Sequence, residues 1–341
     1  MSSRTQSLEL SSKDAMLEMI EGFWVSRAAY VAAEFGIPDI LMGGPKENDQ
    51  LAELMGVHAP SLYRLMRALA SAGLFAEDDN RCFALTPLGT TLCSDVPSSL
   101  RSFAIEVLGR NHYAAWEKLG YSIKTGAIAF NHVYGASKWQ YNAEHPEEAR
   151  IFAEAMASFN RVTADAILAS YDFSSAGTIV DLGGGDGSVL ATILKAHPHL
   201  QGVLADLPYA TDGAWQRLNR EGLADRCVVV AADFFKLVPK GDTYLLKWII
   251  HDWDDESSQV ILQNCRAAMA KTDRLLLIES VIGPGLTTRF SKFMDLAMLV
   301  MTGGRERTEA EYRALLMRAG LKLTRIIPTS TEMSLIEVQR A

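Results

Sequence analysis

Residues 178–187 read Thr-Ile-Val-Asp-Leu-Gly-Gly-Gly-Asp-Gly. The first five are a short apolar strand, and the rest pack glycines into the turn behind it. Gly183, Gly185 and Gly187 let backbone N–H groups approach a ligand where a Cβ would collide. A dinucleotide-binding turn needs its third glycine one place later, and position 188 is serine. Asp181, at the strand end, repels a pyrophosphate but attracts a cation. The ligand expected is a nucleoside carrying positive charge and no phosphate, as S-adenosylmethionine does. The plain alternative is a glycine-rich strand–helix turn that holds nothing.

Four further strand ends follow in order. Residues 201–208 form an apolar run ending in Asp206, about twenty residues after the glycines, where an α/β nucleoside site grips the ribose hydroxyls. A run from Cys227 to Ala232 ends in Asp233-Phe234-Phe235, an acceptor for an adenine amino group beside an aromatic face. A run from Thr243 to Ile250 leads into Lys247-Trp248-Ile249-Ile250-His251-Asp252-Trp253-Asp254-Asp255, and one from Arg274 to Val281 carries Glu279. Ligands of open parallel sheets bind outside the carboxyl ends of the strands, so these residues are expected to converge.

Length and composition agree with an enzyme of this kind. A chain of 341 residues exceeds the usual single domain, and 48% hydrophobic residues supply a large core. A net charge of −8 disfavours a nucleic acid or an anionic membrane as partner. No apolar stretch reaches a membrane span, the first seven residues lack a signal-peptide core, and the chain is expected to be cytoplasmic. Cys82, Cys93, Cys227 and Cys265 are scattered without paired spacing, so neither zinc site nor disulfide framework is expected.

The first hundred residues are organised differently. A helical pattern from about Lys13 to Phe35 places Met16, Ile20, Phe23 and Trp24 on one stripe. After Pro38 and Gly43-Gly44-Pro45 come helices near Asp49–Met55 and Ser61–Ser71, then a hairpin over Leu74–Leu85 tipped by Glu77-Asp78-Asp79-Asn80. Helix, turn, helix and hairpin make a winged-helix pattern, which raises a DNA-binding regulator as a rival function. Arg64 and Arg67 on the second helix suit that rival; the acidic wing tip repels phosphate. The apolar N-terminal helix is better read as a homodimer surface. Residues 100–170 read as all-helical, with Phe152, Met156 and Phe159 on one helical face as a candidate pocket wall. Domains are expected at 1–100, 101–170 and 171–341.

The whole chain resembles the plant-type, small-molecule O-methyltransferases of the caffeate and acetylserotonin class and their bacterial secondary-metabolism relatives. The residues that carry the resemblance are Asp181–Gly187, Asp206-Leu-Pro208, Asp233-Phe-Phe235, Lys247–Asp255, Glu279 and Gly303-Gly-Arg-Glu-Arg-Thr308. It implies an α/β fold: a Rossmann-like class I methyltransferase domain behind an N-terminal all-α winged-helix dimerisation domain. It also implies S-adenosylmethionine contacts at Gly183, Asp206, Leu207, Asp233, Phe234 and Lys247, joined by Asp181 and Gly185 from the reading of the turn. His251 is implied as the catalytic base, flanked by Glu279 and Glu306. Two positions depart from the family pattern: Ala232 stands where glycine is frequent, and Asp186 lies in a variable part of the turn.

The chemistry can be argued from residue types alone. An oxygen attacks a methyl group in line, and a neutral hydroxyl is a poor nucleophile without a base. Histidine titrates near ~6.5 and a phenol near ~10, so full proton transfer is uphill by about 5 kcal/mol. Holding oxygen and methyl in line offsets this by about 7–11 kcal/mol at best, enough for an aromatic hydroxyl but a poor match for an alkyl alcohol. A carboxylate on the second imidazole nitrogen fixes the tautomer, and Glu279 and Glu306 are both candidates. Asp252 is expected to point elsewhere, and Arg305 and Arg307 to be surface or salt-bridging residues. Asn131, Phe152, Met156, Phe159, Trp248 and Met298, with Phe130, Met294 and Met301, are the candidates for an apolar, adaptable acceptor pocket. The acids at 252, 254 and 255 are expected to begin a helix rather than hold a metal. A family member that holds the cofactor but catalyses hydroxylation, decarboxylation or a pericyclic step remains the alternative function.

Overall fold

The computed structural model describes residues 11–341, except for the side chains of Tyr209 and Asp212. The leader-free reading of the first seven residues falls outside that range. Contacts divide the chain into two compact units, Met1–Gly109 and Arg110–Ala341.

The first unit is built on a helix over Ser12–Glu34, capped by the Ser11 hydroxyl. Of this helix only Ala32 and Ala33 are buried, whereas Met19, Phe23 and Trp24 are 71%, 51% and 64% exposed. Helices follow at Asn48–Met55 and Ala59–Ser71, the first ended by Gly56 in the left-handed region. The unit is not all-α. Strands β1 (Lys46–Glu47), β2 (Phe75–Glu77) and β3 (Cys82–Leu85) form an antiparallel sheet in the order β1-β3-β2. Phe75 and Phe83 anchor it, because alternation points both rings into a core with Ile37, Leu51, Met66 and Leu69.

The second unit begins with five helices between Arg110 and Ser170, the last running from Pro146. A seven-stranded sheet follows. Its parallel strands are β4 (Thr178–Leu182), β5 (Gln201–Asp206), β6 (Cys227–Ala231), β7 (Thr243–Lys247) and β8 (Arg274–Ser280). Strands β9 (Leu321–Pro328) and β10 (Met333–Arg340) complete the order β6-β5-β4-β7-β8-β10-β9, with β10 antiparallel to both neighbours. The parallel strands are near-continuous apolar runs because both faces are covered. Leu245, Leu276 and Ile278 face one core cluster, and Tyr244, Leu246, Leu275 and Leu277 face the other. Each such leucine contributes roughly 1.5–3 kcal/mol when fully buried.

Strand β7 ends at Lys247, although the apolar run continues to Ile250. Trp248 breaks it with φ of +53°, an unusual angle for a bulky residue, and a short 3₁₀ turn over Ile250–Asp252 follows. Asp254 then caps the helix Asp255–Ala268, as expected of Asp254 and Asp255, whereas Asp252 stays in the turn. All four cysteines are free thiols, and among the described residues no helix is long and apolar enough to cross a membrane.

Candidate active site

The strand ends converge as the sheet topology requires. At the β4 end, Gly183 donates its N–H to Ala205 O at 2.8 Å, and a Cβ there would collide with Ile249. Gly185 donates to Asp206 Oδ2 at 2.8 Å and Leu207 donates to Asp206 Oδ1 at 2.6 Å, so the backbone holds the β5 carboxylate from two sides. Asp181 is 2% exposed, and its Oδ2 has no partner. Burial, reinforced by neighbouring Asp206, pushes its carboxyl up to about 7. Asp233 accepts from Phe235 N at 3.0 Å, and the Phe234 ring lies 3.7 Å from the place of a Gly183 Cβ. Lys247 is half-buried, donates to Asn160 Oδ1 at 2.6 Å, and lies over the rings of Trp248 and Phe159. Burial pulls its ammonium down to about 8, against the attraction of Glu279 and Asp181.

His251 is 3% exposed and surrounded by acids. Its Nδ1 lies 2.7 Å from Glu306 Oε1 and 4.0 Å from Glu279 Oε2, and its Nε2 lies 3.8 Å from Asp252 Oδ1. Burial alone would lower the imidazole; Glu306, Asp252 and Glu279 together outweigh it and lift the group to about 9. The hydrogen bond belongs to Glu306. Glu279 does something else: its Oε1 accepts from Ile249 N at 3.2 Å and Ile250 N at 2.9 Å and so holds the turn that carries His251. Burial raises the Glu279 carboxyl. Asp252 does not point away as expected, because the tight 3₁₀ turn keeps its carboxylate on the Nε2 side.

A family model described as an O-methyltransferase domain matches residues 116–322, and one described as an O-methyltransferase dimerisation domain matches residues 17–95. The chain belongs to the O-methyltransferase family. The phenazine O-methyltransferase of Lysobacter antibioticus is 41% identical over 98% of each chain. The mitomycin biosynthesis 6-O-methyltransferase of Streptomyces lavendulae is 38% identical over 97% of this chain and 95% of its own. Among solved structures, an O-methyltransferase from neocarzinostatin biosynthesis, in complex with S-adenosylmethionine and 2-hydroxy-5-methyl naphthoic acid, is similar at a TM-score of 0.80. It is 33% identical, over 93% of this chain and 96% of that one.

The residues expected to line an acceptor pocket lie in different surroundings. Trp248, 8% exposed, stacks on Phe159 at 4.3 Å between ring centres and on His251 at 5.5 Å. Met156, Phe159 and Met294 pack against the same core cluster as Trp248. Phe152 instead meets Trp139 edge-on at 5.8 Å, and Trp139 stacks on Trp253. Met298 is buried, with its sulfur near the Thr302 hydroxyl. Asn131 sits on the helix Ala129–Tyr134, and its Oδ1 is buried without a partner, as is Trp248 Nε1.

One residue escaped the sequence reading, and the full burial of a second was not foreseen. Asn160, partner of Lys247, lies 87 positions away on a helix read only for its apolar face. Arg307, expected as a surface or salt-bridging residue, pairs with Asp255 Oδ1 at 2.9 Å and is completely buried, the largest fully buried side chain among the described residues; Arg305 is exposed and pairs with Glu311 at 2.6 Å. Its place directly after Glu306 was the only available signal.

Replacing Glu306 with glutamine removes the charge on Nδ1 while keeping an acceptor. The His251 titration, followed by NMR, is expected to fall from about 9 by at least a unit. An unmoved titration would show that Glu306 does not set it.

Proposed function

We propose that this O-methyltransferase transfers the methyl group of S-adenosylmethionine to an aromatic hydroxyl of a small molecule, with His251 as the general base. The observation that carries the reading is the buried imidazole paired with Glu306 at 2.7 Å beside the glycine turn and its acids. The residues fit the cofactor. Asp181 offers a buried carboxylate oxygen without a hydrogen-bond partner, and the positive charge that bears on it is that of Lys247, whose ammonium burial itself disfavours. Two acids so close suit a cationic nucleoside and oppose a phosphate. Gly183 and Gly185 keep the approach clear, Asp206 and Leu207 sit where ribose hydroxyls are held, and Asp233 and Phe234 suit the adenine edge and face. When bound, S-adenosylmethionine supplies a methyl group on a positively charged sulfur.

The residues of the chain divide the remaining work. Glu306 on Nδ1 sets the imidazole tautomer so that Nε2 is free to take a proton, and it stabilises the imidazolium afterwards. Glu279 holds the turn through two backbone N–H groups. With the imidazole near 9 rather than its ordinary value, the proton transfer from a phenol costs about 1.4 kcal/mol instead of about 5. At neutral pH most of the imidazole is protonated, so the reactive pair is equally reached as imidazolium with phenolate. Acidic aromatic hydroxyls therefore suit the site better than alkyl alcohols. The relatives named for a phenazine and crystallised with a naphthoic acid agree with a planar acceptor. Asn131, Phe152, Met156, Phe159, Trp248 and Met298 are the wall residues proposed for it.

His251, Glu279 and Glu306 place one ligand atom each within 4.8 Å of one another, close enough for an ion. We read them as proton-handling groups, because a hydrogen bond already joins two of them and the electrophile needs no metal. The family's dimerisation model over residues 17–95 and the exposed apolar helix support a homodimer. The acidic wing tip at Glu77, Asp78 and Asp79 supports a partner list without nucleic acid.

His251→Ala is expected to lower turnover by about 10²–10⁴ while the cofactor dissociation constant changes little. Mass spectrometry of the product, a gain of one methylene, identifies the reaction, and the rate should survive EDTA; full turnover in the variant would refute the base. For a phenol of ordinary acidity, kcat/KM is expected to rise about tenfold per pH unit from mildly acidic pH and level off at or below about 9. The sign follows because a base must be unprotonated; a flat profile from pH 6 to 9 would argue against it. Light scattering at micromolar concentration is expected to give twice the chain mass, and a monomer would overturn the dimer.

A further inference from the structure

The turn carrying His251 is held by a strap, residues 304–307, in which every residue touches it. Arg305 N donates to His251 O at 2.8 Å, and a Cβ on Gly304 would collide with that same oxygen. Glu306 binds the imidazole. Arg307, with no exposed surface, donates from Nη1 to Ile250 O at 3.0 Å and from Nη2 to Trp253 O at 3.0 Å. Those two carbonyls bracket His251 and Asp252 in the chain. The guanidinium is fixed from the far side by Asp255 Oδ1, at 3.1 Å from Nε and 2.9 Å from Nη2. Weaker bonds reach Arg305 O at 3.3 Å and Ser258 Oγ at 3.4 Å. Arg307 also pairs with Val281 in an isolated parallel bridge, and its carbonyl accepts from Ile282 N at 3.0 Å, which ties the strap to the end of β8.

We propose that Arg307 is a positioning residue for methyl transfer: its planar fork fixes the loop bearing His251 so that the imidazole stays on Glu306. This rests on the reading of His251 as the base. A buried guanidinium is costly to keep unless every N–H finds an acceptor, and here each does. Stability alone would be met as well by an apolar side chain of similar volume. The fork is different, because it converts one rigid plane into two fixed carbonyl positions on either side of the reactive residue. Lysine keeps the charge but, as a single point donor on a flexible stem, cannot span Ile250 O, Trp253 O and Asp255 together.

The test is Arg307→Lys, with Asp255→Ala as a second variant that leaves Arg307 in place but removes its anchor. For Arg307→Lys we expect kcat to fall about 10–100-fold, the cost of a misplacement near 1 Å, with the cofactor dissociation constant within about threefold of the parent. The His251 titration should move down from about 9 as contact with Glu306 loosens. The other groups facing the imidazole, Glu279 and Asp252, and the charge at position 307 are unchanged in this variant. Asp255→Ala should give the same two effects in smaller measure. A merely structural role would lower the melting temperature without moving the titration. If either folded variant keeps both kcat and the His251 titration at parent values, the proposal is overturned; if Arg307→Lys does not fold, Asp255→Ala decides alone. His251→Ala assayed alongside keeps the two readings apart: full turnover there defeats the base, while a collapse there with unmoved Arg307 and Asp255 variants defeats only the positioning role.

Discussion

A buried imidazole holds a proton near pH 9 only if negative charge closes around it, and three carboxylates do so at His251. That cluster constrains much of the second unit. Glu279 must come from the β8 end, Glu306 from the segment following the Arg289–Met301 helix, and Asp252 from the turn itself. For them to meet, β7 must stop early and the chain must turn sharply at Trp248, which accounts for a bulky residue at positive φ. The strain is local, and stacking of the indole between Phe159 and His251 helps to hold it.

The glycine turn obeys the same logic with opposite purpose. At His251 acids surround a base; at Asp181 and Asp206 acids face one another with little positive charge to satisfy them, apart from a lysine whose own charge burial disfavours. Such an arrangement costs stability in the empty protein and favours whatever cation relieves it. Hydrogen bonds from Gly185 and Leu207 offset part of the cost for Asp206, and nothing comparable reaches Asp181 Oδ2.

Much of this was legible in the sequence. Continuous apolar runs marked the parallel strands because strands covered on both faces need no alternation, and the acid or glycine after each run marked its end. The hairpin of the first unit was legible from its turn residues, although the label all-α passed over the sheet it builds. What could not be read was geometry that hydrophobicity does not encode. Ile249 and Ile250 continue the β7 run in composition, yet the backbone has already left the strand. Glu279 and Glu306 were equal candidates as carboxylates and differ only in which atoms lie within reach. The role of Asn160 and the enclosure of Arg307 were not legible because their partners lie 87 and 57 residues away, not among their neighbours in sequence.

Asp255 serves two arginines of different character. One oxygen faces Arg307, which is wholly enclosed; the other meets Arg318 at 2.8 Å, whose side chain is 45% exposed. Mobile ions reach the outer pair and screen it readily, whereas they reach the inner one only through the exposed part of Asp255. The loop bearing His251 is thus moored on its sheltered side, and ionic strength slackens the outer tether more than the inner.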